Sequence, residues 1–236
     1  MGFDPALIVF PSREAAAARL ADHLEAVIAR AIAERGRASV AVSGGSTPEL
    51  LYAELSQRLL DWSKVAVTLV DERWTPPGTA GSNETFVRRS LLENRAASAM
   101  LIGLWSDAPS PNAGLSTAES RIEPIAPFDA VVLGMGADGH TASWFPECAG
   151  LDRALRPDGP LLAAVRARRS VVTGDLLDRM TLTLGAVARA HAIVLLIAGA
   201  EKRDAFERSV SPGRIEEMPV RGILRARPDL WACWAP

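Results

Sequence analysis

Short apolar runs alternate with helix-periodic stretches along the whole of this 236-residue sequence, and that alternation constrains the fold more than any single residue does. Runs such as Ser39–Val42, Val65–Val70, Phe128–Leu133 and Ile193–Ile197 carry no polar alternation. They suit strands buried on both faces, which occur where helical crossovers cover a parallel sheet. The fold class expected is α/β: a Rossmann-like three-layer α/β/α arrangement around a mostly parallel sheet. No repeat, low-complexity tract or linker interrupts the pattern, so residues 1–236 read as a single catalytic domain. The pattern predicts a strand at Leu7–Phe10, a long helix capped by Ser12 and stopped near Gly36, and helices from Pro48 to about Leu60 and from Ser82–Asn83 through Leu92. A strand is expected at Ala99–Leu104 and a helix at Ser116–Ile125. Between Pro146 and Leu177 the pattern weakens, with a strand at Leu161–Val165; a last, edge-like strand is expected at Leu230–Trp234.

Composition excludes several partner classes. Charged residues make up 23% of the chain and the net charge is −2, so no nucleic-acid surface is indicated, and any anionic ligand must be met by locally placed cations. The longest apolar run, Ala192–Ala200, is too short to span a bilayer, and no basic region precedes the first apolar run. Two cysteines, Cys148 and Cys233, cannot build a disulfide framework and lack metal-ligand spacing. A soluble cytoplasmic protein is expected, with neither nucleic acid nor membrane as partner.

In a parallel sheet the strand-to-helix loops share one edge, and ligands bind at the carboxyl ends of the strands. Four such loops hold the polar residues of interest: Ser43–Thr47, Asp71–Arg73, Asp138–His140 and Gly199–Lys202. The first, Ser43, Gly44, Gly45, Ser46 and Thr47 ahead of Pro48, offers backbone N–H groups, hydroxyls and a helix N-terminus to an anion; its plainer reading is an N-cap with a tight turn. In the third, His140 follows a glycine-rich turn and stands two residues from Asp138, which can orient the ring and support its basicity. Neighbouring Asp71 and Glu72 leave their strand toward opposite sides, so only one is expected at the site. Arg73 can pair with Asp71 or present a fork to an anionic oxygen. Lys202 and Arg179, each taken alone, read as solvated surface cations. His23 and His191 belong to no motif.

Gly134-x-Gly-x-x-Gly139 matches a dinucleotide fingerprint, but Pro146 interrupts the helix that should follow, and no strand-ending acid lies about twenty residues on. A serine hydrolase lacks its Gly-x-Ser-x-Gly elbow, and the histidines are too far apart for a metal site.

Taken in order, Ser43–Pro48, Asp71–Trp74 with Ser82–Asn83, Gly134–Pro146, Arg179–Thr183 and Gly199 with Lys202 resemble the 6-phosphogluconolactonases over about residues 7 to 224. The chain resembles glucosamine-6-phosphate deaminases more distantly. Those continue after their histidine with Ile-Ala-Phe-Asn-Glu, where this chain has Phe145 at the glutamate position and a lactonase-like Thr141–Pro146. Trp144 stands where the lactonases usually have leucine. The resemblance implies a glucosamine-6-phosphate deaminase-like fold and hydrolysis of 6-phospho-D-glucono-1,5-lactone with no metal or organic cofactor. It further implies His140 as general base, Asp138 orienting it, Asp71 and Arg73 beside the reacting centre, and phosphate on Ser43–Thr47 with Arg179 and Lys202. The partner is then a small phosphorylated sugar lactone, and the protein a monomer or small homo-oligomer. Deaminase-like isomerisation and non-catalytic sugar-phosphate binding are the alternatives.

Overall fold

The computed structural model describes residues 6–170 and 173–236. In chain order the elements are β1 (Leu7–Val9), α1 (Arg13–Arg35), β2 (Ala38–Val42), α2 (Glu49–Ser56), β3 (Val65–Leu69), β4 (Asp71–Arg73), α3 (Asn83–Ser90), β5 (Met100–Ile102) and α4 (Pro111–Ile122). There follow β6 (Ala130–Leu133), α5 (Leu151–Ala154), β7 (Leu162–Arg166), β8 (Asp178–Leu182), α6 (Leu184–Ala188), β9 (Ala192–Ala198), α7 (Ala200–Val210), α8 (Val220–Ala226) and β10 (Trp231–Ala235).

Seven strands form one sheet in the order β1-β10-β9-β6-β2-β3-β5, every neighbouring pair parallel. All residues of β2, β3 and β6 are buried, as their unbroken apolar runs require. The chain builds rightward from β2 to β5, then returns to β6 and builds leftward. Right-handed crossovers therefore place α1–α3 on one face and the later helices on the other. Packing of α1 on α2 and α2 on α3, and of α6 and α7 on α8, agrees with that division.

Helix α1 shows how the sequence sets such an element. Ser12 accepts a hydrogen bond from the Ala15 N–H at 3.2 Å, a cap whose loss costs about 1 kcal/mol. Leu20, Ala21, Leu24, Ile28 and Ala31, spaced by one, three or four, form its buried stripe. Gly36 ends it at φ 74°, its N–H returning to the Ile32 carbonyl at 2.8 Å.

The structure departs from the expectations in three places. Strand β10 lies between β9 and β1 rather than at the edge, which β1 occupies. The helix α4 begins at Pro111, where Ser110 caps it, earlier than Ser116. A second sheet, β4-β8-β7, is antiparallel throughout. Asp71–Arg73 is thus a short strand rather than a loop, paired with β8 so that Arg73 lies opposite Arg179.

Candidate active site

Strands β2 and β6 are neighbours at the point where the order of the main sheet reverses. The crevice between their carboxyl ends is the usual ligand position in such sheets. Ser43–Pro48 leaves β2 there and Gly134–His140 leaves β6, and the Ser43 N–H donates to the Val132 carbonyl at 3.1 Å. A cavity of about 490 Å³ opens at this point. Ser43–Pro48, Asp71, Arg73, Gly134–Ala137, His140, Arg179 and Lys202 line it, together with Asn83, Ala142, Phe145 and Glu201. All four sequence segments singled out for their polar residues therefore converge on one crevice. Asp138 contributes from behind, through His140.

The histidine loop is built around its glycines. The Gly136 N–H donates to the His140 carbonyl at 2.9 Å, and Gly139, at φ 78°, turns the chain back with its N–H on the Gly136 carbonyl at 3.0 Å. Asp138 Oδ1 lies 2.5 Å from His140 Nδ1 and also accepts the His140 backbone N–H at 3.1 Å. Burial pushes the Asp138 carboxyl upward, but its hydrogen bonds with His140 and the charge of that ring outweigh burial and hold it below the usual range. An ionised Asp138 accepting Nδ1–H leaves Nε2 as the lone-pair nitrogen of the ring. Phe145 packs against the ring with centroids 4.5 Å apart.

A Cβ on Gly136 would overlap Nδ1 and Cε1 of His140 and come within 2.6 Å of Asp138 Oδ1. Gly136→Ala must therefore displace the imidazole. We expect kcat to fall by about 10² with KM little changed, the scale of loss when a reacting group is misplaced by about 1 Å; steady-state kinetics on the purified variant measure it.

The Ser43–Thr47 loop carries unspent donors. No acceptor takes the N–H groups of Gly44, Gly45, Ser46 and Thr47 among the described residues. The Ser43 hydroxyl is likewise buried without a partner. Tyr52 donates to the Ser43 carbonyl at 2.7 Å and fixes the start of the loop. Lys202 Nζ reaches Thr47 Oγ1 at 3.4 Å from the first turn of α7.

Asp71 and Glu72 point apart, as their adjacency requires. Asp71 faces the cavity, its carboxylate accepting from Ser143 Oγ at 2.5 Å and Asn83 Nδ2 at 3.2 Å. Glu72 is fully buried and caps α3, accepting the N–H groups of Asn83 (2.7 Å) and Glu84 (2.8 Å). Arg73 makes no ion pair with Asp71 among the described residues; it donates to the Gly81 carbonyl, and its Nε is buried without a partner.

The solvated reading of Arg179 and Lys202 is corrected here. Arg179 is 3% exposed, its Nε donating to the Leu176 carbonyl at 2.6 Å and its guanidinium 5.6 Å from the Phe145 ring centroid. Lys202 is partly buried. Each lies in the crevice wall because pairing of β8 with β4, and the start of α7 after β9, bring them there. Sequence reasoning singled out neither Asn83 nor Ser143 as a site residue, although both lie within the quoted motifs. Their signal is the pairing of short polar side chains with Asp71. Trp144, in place of the usual leucine, is fully buried and satisfies its indole N–H on the Leu182 carbonyl at 2.8 Å.

A family-level sequence profile for the glucosamine-6-phosphate isomerases/6-phosphogluconolactonase matches residues 11–232. The chain belongs to this family. Within the glucosamine-6-phosphate isomerase/6-phosphogluconolactonase family it is 43% identical over 234 residues to the 6-phosphogluconolactonase of Rhizobium meliloti, covering 97% of both chains. It is 38% identical to that of Pseudomonas aeruginosa, over 98% of this chain and 94% of the relative. The crystal structure of a 6-phosphogluconolactonase from Shewanella baltica superposes with a TM-score of 0.92 at 35% identity over the full length of both chains. A monomeric glucosamine-6-phosphate deaminase shares the fold at 16% identity, with a TM-score of 0.80 over 97% of this chain and 96% of that one. Among the described residues no cluster of three or more His, Cys, Asp or Glu side chains is placed to hold a metal, and no helix is long and apolar enough to cross a membrane.

Proposed function

We propose that this chain, acting as a single cytoplasmic catalytic domain, hydrolyses 6-phospho-D-glucono-1,5-lactone to 6-phosphogluconate in the oxidative pentose phosphate pathway. The observation that carries the reading is the Asp138–His140 couple set in one crevice with the open N–H groups of Ser43–Thr47. His140 Nε2 takes a proton from water as the oxygen adds to the lactone carbonyl. The tetrahedral intermediate collapses with cleavage of the bond from the carbonyl carbon to the ring oxygen, and the imidazolium returns its proton to that oxygen. Asp138 holds the ring and balances its transient charge. Arg73 or the N–H groups of the glycine loop stabilise the oxyanion, and Asp71 orients the sugar hydroxyls beside it. The 6-phosphate sits on the Ser43–Thr47 loop, with Lys202 and Arg179 as counter-charges.

Phe145 separates this reading from deaminase-like isomerisation. A phenyl ring against His140 can neither give nor take a proton, so the imidazole of the crevice works on water. Purified protein is expected to open the lactone, followed by coupled oxidation of 6-phosphogluconate, and to release no ammonia from glucosamine 6-phosphate. Ammonia release without lactone hydrolysis would overturn the assignment.

Lys202 gives this reading a pH signature. Burial lowers its ammonium below the ordinary value of 10.5, against the opposing pull of Glu201. The charge that meets the phosphate is therefore lost at a lower pH than on an exposed lysine, as pH rises through that lowered value. Calorimetric titration with 6-phosphogluconate is expected to show weaker binding at pH 9.5 than at pH 7.5. Lys202→Arg should hold its affinity across that range, since a guanidinium keeps its proton.

A further inference from the structure

A second cavity lies at the opposite end of the main sheet, where β2, β3, β5, β6 and β9 begin, and at about 610 Å³ it is roomier than the catalytic crevice. Its wall is apolar where the sheet supplies it: Val65 and Ala66 at the start of β3, Met100 at the start of β5, and Ile125 in the turn before β6. Met100 is 56% exposed although it belongs to a strand. Its rim is cationic. Two of the rim cations already have partners, Arg35 on Asp129 and Lys64 on Asp61 at 2.8 Å. Asp129 is further committed to the Ser39 N–H at 2.8 Å, so its charge is spent within the wall. Arg37 is left: among the described residues its guanidinium has neither an ion-pair nor a hydrogen-bond partner. The His191 side chain completes the rim and also has no hydrogen-bond partner there.

We propose that this cavity is a binding site for an organic monoanion with a flat apolar body, such as an aromatic carboxylate or sulfonate. One unpaired guanidinium complements one negative charge. The apolar wall gives a ring or short chain a surface to leave water for, at roughly 25 cal/mol per Å² of apolar area covered. A multiply charged sugar phosphate is matched less well, because a single free cation faces it and the sheet-supplied part of the wall is apolar. The site is separate from the catalytic crevice: parallel strands place their amino and carboxyl ends on opposite edges, and the two cavities share no lining residue.

The test uses 8-anilinonaphthalene-1-sulfonate, an aromatic monoanion whose fluorescence rises on leaving water, titrated against the intact protein. Saturable one-to-one binding is expected, unchanged by saturating 6-phosphogluconate. Arg37→Glu should weaken it at least tenfold and Met100→Glu at least fivefold. Both positions are exposed and outside the catalytic machinery, so both variants keep wild-type lactonase turnover, which certifies their fold. Affinity unchanged in both variants, or loss of the probe on adding 6-phosphogluconate, would overturn the proposal. So would displacement by equimolar inorganic phosphate, because a site that reads charge alone has no use for the apolar wall.

Discussion

His140→Ala is expected to lower kcat about a thousandfold, within the 10²–10⁴ that a positioned general base contributes, while thermal unfolding stays within a few degrees of wild type. The side chain lies on a loop, and its backbone holds the loop through the Gly136 N–H and the His140 carbonyl, which alanine keeps. What disappears is the nitrogen that accepts the proton of water, together with the partner that Asp138 was placed to orient. Because the loop proposed to hold the phosphate lies on another element, KM should change by no more than a few fold. Wild-type turnover in this variant would refute the general-base role. A collapse in melting temperature would instead show that the histidine holds the loop.

The second large effect is on stability, and it comes from Glu72→Ala. The Glu72 carboxylate accepts the N–H groups of Arg73, Asn83 and Glu84 and the hydroxyl of Ser82, closing the N-terminus of α3 against β4. Alanine leaves these buried donors unmatched. Each orphaned group costs about 1–3 kcal/mol, partly recovered where water enters, so a net loss of about 3 kcal/mol is expected. In a chain of this size that corresponds to a melting temperature lower by roughly 10 °C. The loss depends on pH. Burial pushes Glu72 up to about 7, against the lowering effect of its N–H donors. From the ordinary value of 4.5 up to about 7 the folded state keeps a proton that the unfolded chain releases, so this group's contribution is full below pH 4.5 and declines as pH rises through 7. The gap between wild type and Glu72→Ala should accordingly be wider at pH 5 than at pH 8, as read by calorimetric melting.

The main sheet was legible because its strands are of the kind that a single sequence reveals. β2, β3 and β6 are short unbroken apolar runs, and α1 carries a serine cap, a buried stripe and a terminal glycine. Of the second sheet only β7 was, as the strand expected at Leu161–Val165. Asp71-Glu-Arg is polar enough to read as loop, and only its antiparallel pairing with Asp178-Arg-Met-Thr-Leu makes it a strand. For the same reason Arg179 read as a surface cation: nothing in the residues around it announces that β4 and Phe145 will enclose it. The converging loops, by contrast, followed from one rule, since every strand of a parallel sheet delivers its following loop to the same edge. Asp138 beside His140 needed only the separation of two residues in the sequence. The placement of β10 failed because strand order is set by crossovers, and a tail of five residues carries no record of which neighbours it will find.

That placement bears on how the molecule assembles. β1 has one partner in the sheet, β10, with Leu7 beside Ala232, so its pairing must wait for a segment more than two hundred residues further along the chain. Contacts of such long sequence separation form late, because the entropy of closing the loop is spent before they return anything. On a ribosome the start of α1 would therefore emerge well before its neighbouring strand can dock. Deleting the strand β10 would leave β1 without the strand it pairs with and open the edge of β9, a template for a strand from another chain.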